Sequence, residues 1–330
     1  MIFNVCILYL HKIYNMNFLT PYCYSEISLH PKQDESIFKS IYFYNGEPSI
    51  LKQHQIGIVG TDPISLNGFR NHFYNLGDHF QASILDLGVI DYDNQAAFQE
   101  RIDHLRKELA LIVIGGDAIH SDKEPYCCLS NKLESNTSTM HSLAYQRHTT
   151  SREDYLNTNH LNHLSLGELK SKVSIVEPYL RNSKSLIVNP NVIKKSDSKF
   201  EGSDLCGLTI EETCQIARYA GISPNIELIQ FTDIPPSDKE NRLYECASVT
   251  AWYFLEGYMN KKFEDAADHD NTCYIIQNDY FENPLKFISS SESGRWWVQL
   301  EGESEYLPCL YDDYVACKSG QIPERLLTLV

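Results

Sequence analysis

The sequence lacks a basic charge balance: 28 Lys and Arg residues stand against 44 Asp and Glu residues, which gives a formal charge of −16 at pH 7. Proteins that bind nucleic acids or anionic membranes rely on clustered basic side chains. We therefore expect neither partner. Core-forming residues are plentiful, since 42% of the chain is hydrophobic and 12% is aromatic. This composition excludes wholesale disorder.

The sequence also lacks a C-x-x-C pair, although it contains ten cysteines. Most of them lie in apolar segments, including the adjacent pair Cys127 and Cys128, where a reduced thiol packs as a small hydrophobic group. Because no convincing export signal precedes them, we predict free thiols in a reducing cytoplasm rather than a disulfide framework. The other eight are Cys6, Cys23, Cys206, Cys214, Cys246, Cys273, Cys309 and Cys317.

No hydrophobic run at the N-terminus is long enough to cross a bilayer. Residues 1–10 are apolar, but no positive charge precedes them and His11 and Lys12 follow at once. A weak signal or anchor is one interpretation of this segment. We favour a second, in which residues 1–15 are dispensable and Met16 is the alternative start.

Short apolar runs that end in glycine predict the core of the fold. They occupy residues 55–60 (QIGIVG), 82–88 (ASILDLG) and 109–116 (LALIVIGG), and continuous apolar residues indicate strands that are covered on both faces. Residues 94–109 have apolar side chains at helical spacing, with Asn94 as the N-cap. Strand, helix and strand in this order predict a parallel βαβ unit.

The rest of the chain continues this alternation without an internal repeat. Thr209 and Glu212 form a capping box at the start of a helix that we expect Gly221 to end. The other predicted elements are a polar loop over residues 130–142, helices over 165–183, 209–220, 241–260 and near 311–317, strands over 185–190 and 226–231, and short strands around Tyr274 and Trp297.

These elements predict an α/β protein with a doubly wound, mostly parallel sheet in three layers and a small C-terminal extension. We divide the chain into an N-terminal segment (1–50), an α/β domain (51–260) and the C-terminal extension (261–330), packed on the same domain. Ligands of such sheets bind beyond the carboxyl ends of the strands. Trp296 and Trp297 fit a lid or a subunit contact, although aromatic residues are more often plain core.

One loop after a predicted strand carries several polar side chains. Gly115 and Gly116 allow a sharp turn, and His120, Asp122 and Glu124 follow within a few residues. They could form half of a metal site. We favour a polar helix start, because two ligands in one loop do not hold a metal ion.

Two further groups could carry chemistry. His160 and His163 could pair on a helix near Glu168, but no third ligand follows, and we favour a surface helix with solvated histidines. Asp91 and Asp93 form an acidic pair after the second strand, where a turn with self-capping side chains explains them.

Five segments and the turn Gly115-Gly116-Asp117 carry a family resemblance. The segments are VEPYLRNSKSLIV (176–188), EETCQIARYAGIS (211–223), WYFLEGYMNKK (252–262), GRWW (294–297) and LPCLYDDYVACKSGQIPER (307–325). They resemble the ureohydrolase superfamily, which comprises the arginases, agmatinases and formimidoylglutamases, and are most similar to a bacterial formimidoylglutamase-like branch. The turn looks like the first metal loop of these enzymes. The resemblance covers most of the chain from about residue 55, and only residues 130–165 match weakly.

The resemblance implies a metal-dependent hydrolase of the arginase fold. In the active superfamily two manganese ions share a hydroxide that attacks a guanidinium or amidine carbon. Family members hold these ions with a histidine after Gly-Gly-Asp, an Asp-x-His-x-Asp loop and an Asp-x-Asp loop. Such hard ions need several carboxylates together with imidazole.

This sequence departs from the family pattern at nearly every ligand position. Asp117 is retained beside the first position, and only Glu134 among the matching residues could still be an anionic ligand. Lys132 would place a positive charge where a cation belongs, and neutral amides bind such ions weakly. The positions that match the family site are Ala118, Ser130, Lys132, Glu134, Asn189 and Asn191.

We therefore interpret the chain as a cytoplasmic, ureohydrolase-like protein with a degraded dinuclear metal site, and we expect neither catalysis nor manganese binding. In this hypothesis it is an inactive binding or assembly protein that takes a small polar ligand or a protein partner, and no cofactor is expected. The resemblance also implies a homo-oligomer. The alternative is a hydrolase of a linear amidine or guanidino substrate that holds two manganese ions with altered ligands. A gene product without a remaining role is a third possibility.

Overall fold

Two β-sheets organise the residues that the computed structural model describes, which are 16, 18–21, 36–119, 123–133, 139–153, 163–236, 242–277, 280–281, 283–300, 305–323 and 325–326. The large sheet contains β1 (Leu19–Thr20), β2 (Ile41–Phe43), β3 (Ile56–Gly60), β4 (Ile84–Ile90), β5 (Ala110–Ile114), β6 (Tyr126–Leu129), β7 (Met140–Tyr145), β8 (His163–Ser165), β9 (Ser185–Val188) and β10 (Leu228–Phe231). The small sheet contains β11 (Thr272–Ile276), β12 (Leu285–Ser289), β13 (Trp296–Leu300) and β14 (Leu307–Cys309).

The large sheet has the strand order β1-β4-β3-β5-β10-β9-β6-β7-β8, and β2 also pairs with β4. Its described pairs are parallel except for β1 and β4, which are antiparallel. The prediction of a doubly wound, mostly parallel sheet is confirmed. The predicted βαβ unit of β4, a helix and β5 is parallel as expected, but β3 lies between its two strands.

Eight α-helices are described, joined by short 3₁₀ turns that include residues 173–176 and 190–192. The helices are α1 (Pro63–Phe73), α2 (Gln95–Leu105), α3 (Leu166–Ser171), α4 (Glu177–Arg181), α5 (Lys195–Ser198), α6 (Ile210–Ile222), α7 (Arg242–Met259) and α8 (Tyr311–Lys318). Local signals explain their starts: Asn94 accepts a hydrogen bond from the Ala97 N–H before α2, and Thr209 and Glu212 form a capping box before α6. These caps confirm two helix starts that the sequence predicts.

The large sheet separates two hydrophobic clusters, as strands buried on both faces require. Ile58 and Ile112 belong to one cluster with Phe69 of α1 and Phe254 of α7. Their neighbours along the strands, such as Val59, belong to the other cluster with Phe98 and Ile102 of α2. Successive side chains of a strand point to opposite faces of the sheet, so each continuous apolar run contributes side chains to both hydrophobic clusters.

Three predicted boundaries are wrong. The polar loop ends before Met140, because β7 begins there and pairs with β6. The helix over 165–183 is broken into α3, a 3₁₀ turn and α4. Gly221 lies inside α6 rather than ending it, and a Cβ there would stand 2.1 Å from the Phe254 carbonyl oxygen. Glycine at this position is needed for the close approach of α6 and α7.

The small sheet is antiparallel and has a hydrophobic cluster of its own that includes Phe287, Val298 and Cys317. Trp297 is buried, which agrees with the interpretation of this residue as core. Arg181 connects helix α4 to the small sheet, because its Nη2 donates to the carbonyl oxygens of Trp296 (2.8 Å) and Cys309 (3.2 Å).

The eight described cysteines are thiols rather than halves of disulfides, and six of them are buried. Burial raises the pKa of the Cys127 thiol to about 12, so a packed, unreactive thiol is the consistent interpretation. Cys206 and Cys273 are exposed. Within the described part of the chain, no helix is both long and apolar enough to cross a bilayer. Residues 1–15 lie outside the described residues.

Candidate functional site

Four neighbouring parallel strands end side by side at one edge of the large sheet. In the strand order β5-β10-β9-β6, Ile114, Phe231, Val188 and Leu129 are paired in register. The loops that follow β5, β9 and β6 are the three in which the sequence resemblance predicts the family's metal positions, and the end of β10 lies between the first two. This edge is where ligands of open α/β sheets bind, and it is the candidate site.

The loop after β5 turns as its glycines predict, with φ of +88° at Gly115 and +76° at Gly116. Ala118 contributes a methyl group, and its carbonyl oxygen accepts from Gln95 Nε2 at 2.9 Å. Asp117 is exposed, and its Oδ2 accepts a hydrogen bond from the Tyr92 hydroxyl. That bond raises the pKa of Tyr92. The retained carboxylate therefore contacts Tyr92 of the loop after β4.

Gln230 of β10 holds this loop in place. It is fully buried, its Nε2 donates to the carbonyl oxygens of Gly115 and Asp117 (both 2.9 Å), and its Oε1 accepts from the Ile119 N–H at 2.8 Å. Buried amides are normally satisfied in this way. Gln230 was not a candidate in the sequence, although a glutamine inside the apolar strand LIQF is a signal that could reveal it.

The loops after β6 and β9 contact each other through neutral groups. Asn191 Oδ1 accepts from the Asn131 N–H at 2.9 Å and from the Ser130 hydroxyl at 3.5 Å. Ser130 is fully buried. The structure thus brings together two of the predicted site positions, Ser130 and Asn191, in a hydroxyl–amide contact.

The remaining amides of this cluster donate to carboxylates. Asn189 Nδ2 donates to Asp233 Oδ2 at 2.5 Å, and Asn131 Nδ2 donates to Asp204 Oδ2 at 3.1 Å. Asn189 Oδ1 accepts from the Asn191 N–H at 3.0 Å, which caps the 3₁₀ turn over residues 190–192. We call Ser130, Asn131, Asn189 and Asn191, with Asp204 and Asp233, the amide cluster. Asn131, Asp204 and Asp233 were not candidates in the sequence.

The described residues do not fit the two manganese ions that the fold family implies. Ala118 has no donor atom, Lys132 is exposed and cationic, and the two asparagines direct their oxygens to N–H and O–H groups. Such ions select carboxylates, imidazoles and water. Among the residues that the structure describes, no group of three or more His, Cys, Asp and Glu side chains could hold a metal ion. Glu134, His120 and Asp122 lie outside them.

The other sequence candidates lie elsewhere. His163 belongs to β8, is buried, and its Nδ1 accepts from the Ser142 N–H at 3.1 Å; both interpretations of it as a helical residue are therefore wrong, and His160 lies outside the described residues. Asp93 pairs with Arg101 at 2.6 Å on the surface. Glu124 lies 3.5 Å from Arg106, and Glu168 caps α3.

No protein-family model and no curated protein matches the sequence. Solved structures do match. The formimidoylglutamase of Bacillus subtilis superposes with a TM-score of 0.58 over 73% of this chain and 98% of that one, at 13% identity. The chain has the arginase fold.

Two further arginase-fold relatives come from Trypanosoma cruzi. An arginase superfamily protein superposes with a TM-score of 0.57 and 16% identity, over 70% of this chain and all of the other. A formiminoglutamase solved with Mn²⁺ superposes with a TM-score of 0.54 and 15% identity, over 64% of this chain and 95% of the other. The predicted ureohydrolase-type fold is confirmed. At this identity the likeness extends to the fold alone.

Proposed function

We propose that this arginase-fold protein has lost the dinuclear metal site and acts as an inactive binding or assembly protein. In this hypothesis it takes a small polar ligand or a protein partner, self-associates, and works in the cytoplasm. The lack of a basic charge balance argues against nucleic acid and anionic membranes as partners. The free, mostly buried cysteines fit a reducing compartment.

The amide cluster carries this proposal. Asn189 is a neutral amide whose N–H donates to Asp233. Asn191 is also neutral, and its Oδ1 already accepts hydrogen bonds from Asn131 and Ser130. Neither residue offers a carboxylate to a cation. Activation of a bridging water by two cations requires anionic ligands that hold the cations in place. The hydrogen-bonding groups of the cluster could still bind a polar ligand.

Metal retention is the direct test. The chelator-treated protein is incubated with MnCl₂, desalted and analysed by inductively coupled plasma mass spectrometry. We expect fewer than about 0.1 equivalents of manganese per chain, because neutral amides bind such ions weakly. The Trypanosoma cruzi formiminoglutamase, treated in parallel, controls for loss of metal during desalting.

Retention of about two equivalents would contradict the proposal and favour the alternative, a metal-dependent hydrolase with altered ligands. The same samples are assayed for hydrolysis of formimidoylglutamate and of guanidino compounds. Turnover that a chelator abolishes would also overturn the proposal.

Restoring two carboxylates tests whether the metal ligands are missing from one loop only or from all three. The double variant Asn189→Asp/Asn191→Asp returns the Asp-x-Asp pattern to the loop after β9. We expect no hydrolysis even with manganese, because Ala118 and Lys132 remain in the other two loops. Circular dichroism confirms that the variant is folded, and measurable turnover by it would refute the proposed extent of the loss.

A further inference from the structure

A cavity lies at the junction between the large sheet's helices and the C-terminal extension. It has a volume of 540 Å³ and is lined by Lys172, Ser174 and Glu177, the end of α6, the segment after α7, and parts of β13, β14 and α8. Small-molecule sites occupy roughly 300–1,000 Å³. The end of α6 leads into the start of β10, so this junction cavity lies away from the amide cluster and shares no residue with it.

The lining of the cavity is less acidic than the chain as a whole. Its charged residues are four cations (Lys172, Arg218, Lys262 and Arg295) and three acids (Glu177, Glu264 and Asp312). In the whole chain acidic residues outnumber basic ones by 44 to 28. All four cations pair with carboxylates, so an anionic ligand binds here by replacing a carboxylate partner of an exposed cation.

Two of the acidic lining residues, Glu177 and Glu264, already form ion pairs with Arg295. Arg295 lies between two carboxylates, with Nε 3.4 Å from Glu177 Oε1 and Nη1 3.3 Å from Glu264 Oε2. Burial would raise the pKa of Glu264, but hydrogen bonds from Ser290 and Ser293 and the charge of Arg295 outweigh it and lower the pKa. This carboxylate therefore stays ionised and bound to its partners.

The other three cations of the lining form exposed ion pairs and are more available to a ligand. Arg218 and Lys262 are 41% and 53% exposed, and they pair with Glu256 and Glu292, which do not line the cavity. Lys172 pairs with Asp312, and both are more than half exposed. Exposed pairs of this kind contribute little to stability, so an incoming anion can compete for the cations.

An aromatic wall completes the cavity. Trp296 lines it and stacks on Tyr274 and Tyr314, with ring centroids 5.4 and 5.0 Å apart and planes within 20° and 30° of parallel. Tyr311 also lines the cavity and is 55% exposed. Stacking on both neighbours fixes the orientation of Trp296, and a fixed aromatic ring is a ready surface for a planar ligand group.

We propose that the junction cavity binds a small organic anion with a planar ring, whose charge meets Arg218 and Lys262 and whose ring packs on Trp296. The site is independent of the proposed function of the amide cluster. It is a binding site only, and no reaction is assigned to it.

Calorimetric titration with 2-naphthoate, an aromatic carboxylate, tests the proposal, and 2-naphthamide serves as its uncharged counterpart. We expect 2-naphthoate to bind with one site per chain and at least about tenfold more tightly than the amide, since one ionic contact of roughly 1.4 kcal/mol corresponds to that factor. Absence of 2-naphthoate binding at about 5 mM would overturn the proposal, since the binding free energy would then be weaker than roughly 3 kcal/mol. Equal affinity for the two probes would also overturn it.

The double variant Arg218→Gln/Lys262→Gln locates the site. We expect it to weaken 2-naphthoate binding about tenfold or more and to leave the near-ultraviolet circular dichroism spectrum unchanged, because both residues form exposed pairs. The matched control is Lys52→Gln/Lys107→Gln, which removes two exposed cations outside the cavity. Equal binding by both double variants would refute the assignment to this cavity.

Discussion

The amide cluster and the junction with the C-terminal extension satisfy their polar groups in different ways. At the carboxyl ends of β6 and β9, hydroxyl and amide groups bind one another, and two carboxylates accept from amide N–H groups. At the junction, ion pairs such as Arg295 with Glu177 and Glu264 join separate parts of the chain. The edge of the sheet where arginase-fold ligands are expected is thus built from mostly neutral groups, whereas ionic contacts connect the extension to the helices.

Arg181 is the most buried charge at the junction. Its guanidinium is 4.7 Å from the centre of the Trp297 ring and 3.1 Å from Glu177 Oε2, with a side-chain exposure of 3%. Burial lowers the pKa of Arg181, which reflects the cost of removing a charge from water. Such a charge is tolerated only with good partners, so the junction depends on its ionic contacts more than the amide cluster does.

The largest expected effect comes from removing that charge. Arg181→Met loses the hydrogen bonds to the Trp296 and Cys309 carbonyl oxygens and leaves Glu177 with fewer partners, so we expect the free energy of unfolding to fall by about 3 kcal/mol. Urea unfolding measures the change. Arg101→Met is the control, because Arg101 forms a surface pair with Asp93 that is expected to contribute less than about 1 kcal/mol. Equal losses in the two variants would remove the distinction between buried and surface charge.

A second effect concerns pH. Lys261 follows the end of α7, and its burial lowers the pKa of its side chain to about 8. The charge of Glu227 acts in the opposite direction, and that of Lys184 lowers the pKa further. Between pH 8 and the ordinary pKa of about 10.4 the unfolded chain binds more protons at this residue, so its contribution to stability rises with pH.

Urea unfolding at pH 7.5 and 9.5 measures this dependence. The buried cysteines, whose pKa values are raised, lower stability over the same range in every variant. We therefore compare variants, and expect the change in stability from pH 7.5 to 9.5 to be less favourable in Lys261→Met than in the wild type by about 1 to 2 kcal/mol. Lys107→Met, changed at an exposed position, should keep the wild-type slope. An unchanged slope in Lys261→Met would show that the burial of Lys261 is not linked to folding.

The smallest effect is expected at the amide cluster. Asn189→Asp replaces the bond to Asp233 by a contact of two carboxylates, which repel each other when ionised. Because Asp233 is exposed, we expect a loss of only about 1 kcal/mol at pH 7, decreasing as the pH falls towards 4. Asn189→Asp/Asp233→Asn restores a donor and should recover the stability. Stabilisation of the single variant by manganese would instead indicate a surviving metal site.

Much of the fold follows from local patterns in the sequence. The apolar runs before Gly60, Gly88 and Gly115 predict β3, β4 and β5, and the caps of α2 and α6 are visible as Asn94 and Thr209. The sequence does not reveal β7 and β8, because MHSLAY and HLS mix polar and apolar residues without a clear period. It predicts a helix end at Gly221, whereas the residue that requires glycine there, Phe254, is distant in sequence.

The sequence predicts some residues of the candidate site but not the residues that they contact. Ser130, Asn189 and Asn191 could be found, through the resemblance, at the ends of predicted strands. Their partners could not, since the Asn131–Asn191 bond spans 60 residues and the Gln230–Gly115 bond spans 115. Hydrogen-bond partners at such distances depend on which strands are neighbours.

Local patterns in the sequence predict the α/β class and the positions of several strands and helices, because periodicity and capping depend on residues that are close together in the chain. Strand pairing places β10 between β5 and β9, and contacts between distant residues join the asparagines to Ser130 and Asp233 and form the cavity beside Trp296. These features depend on strand pairing and on contacts between distant residues, and the balance of burial and hydrogen bonding over the whole chain fixes them.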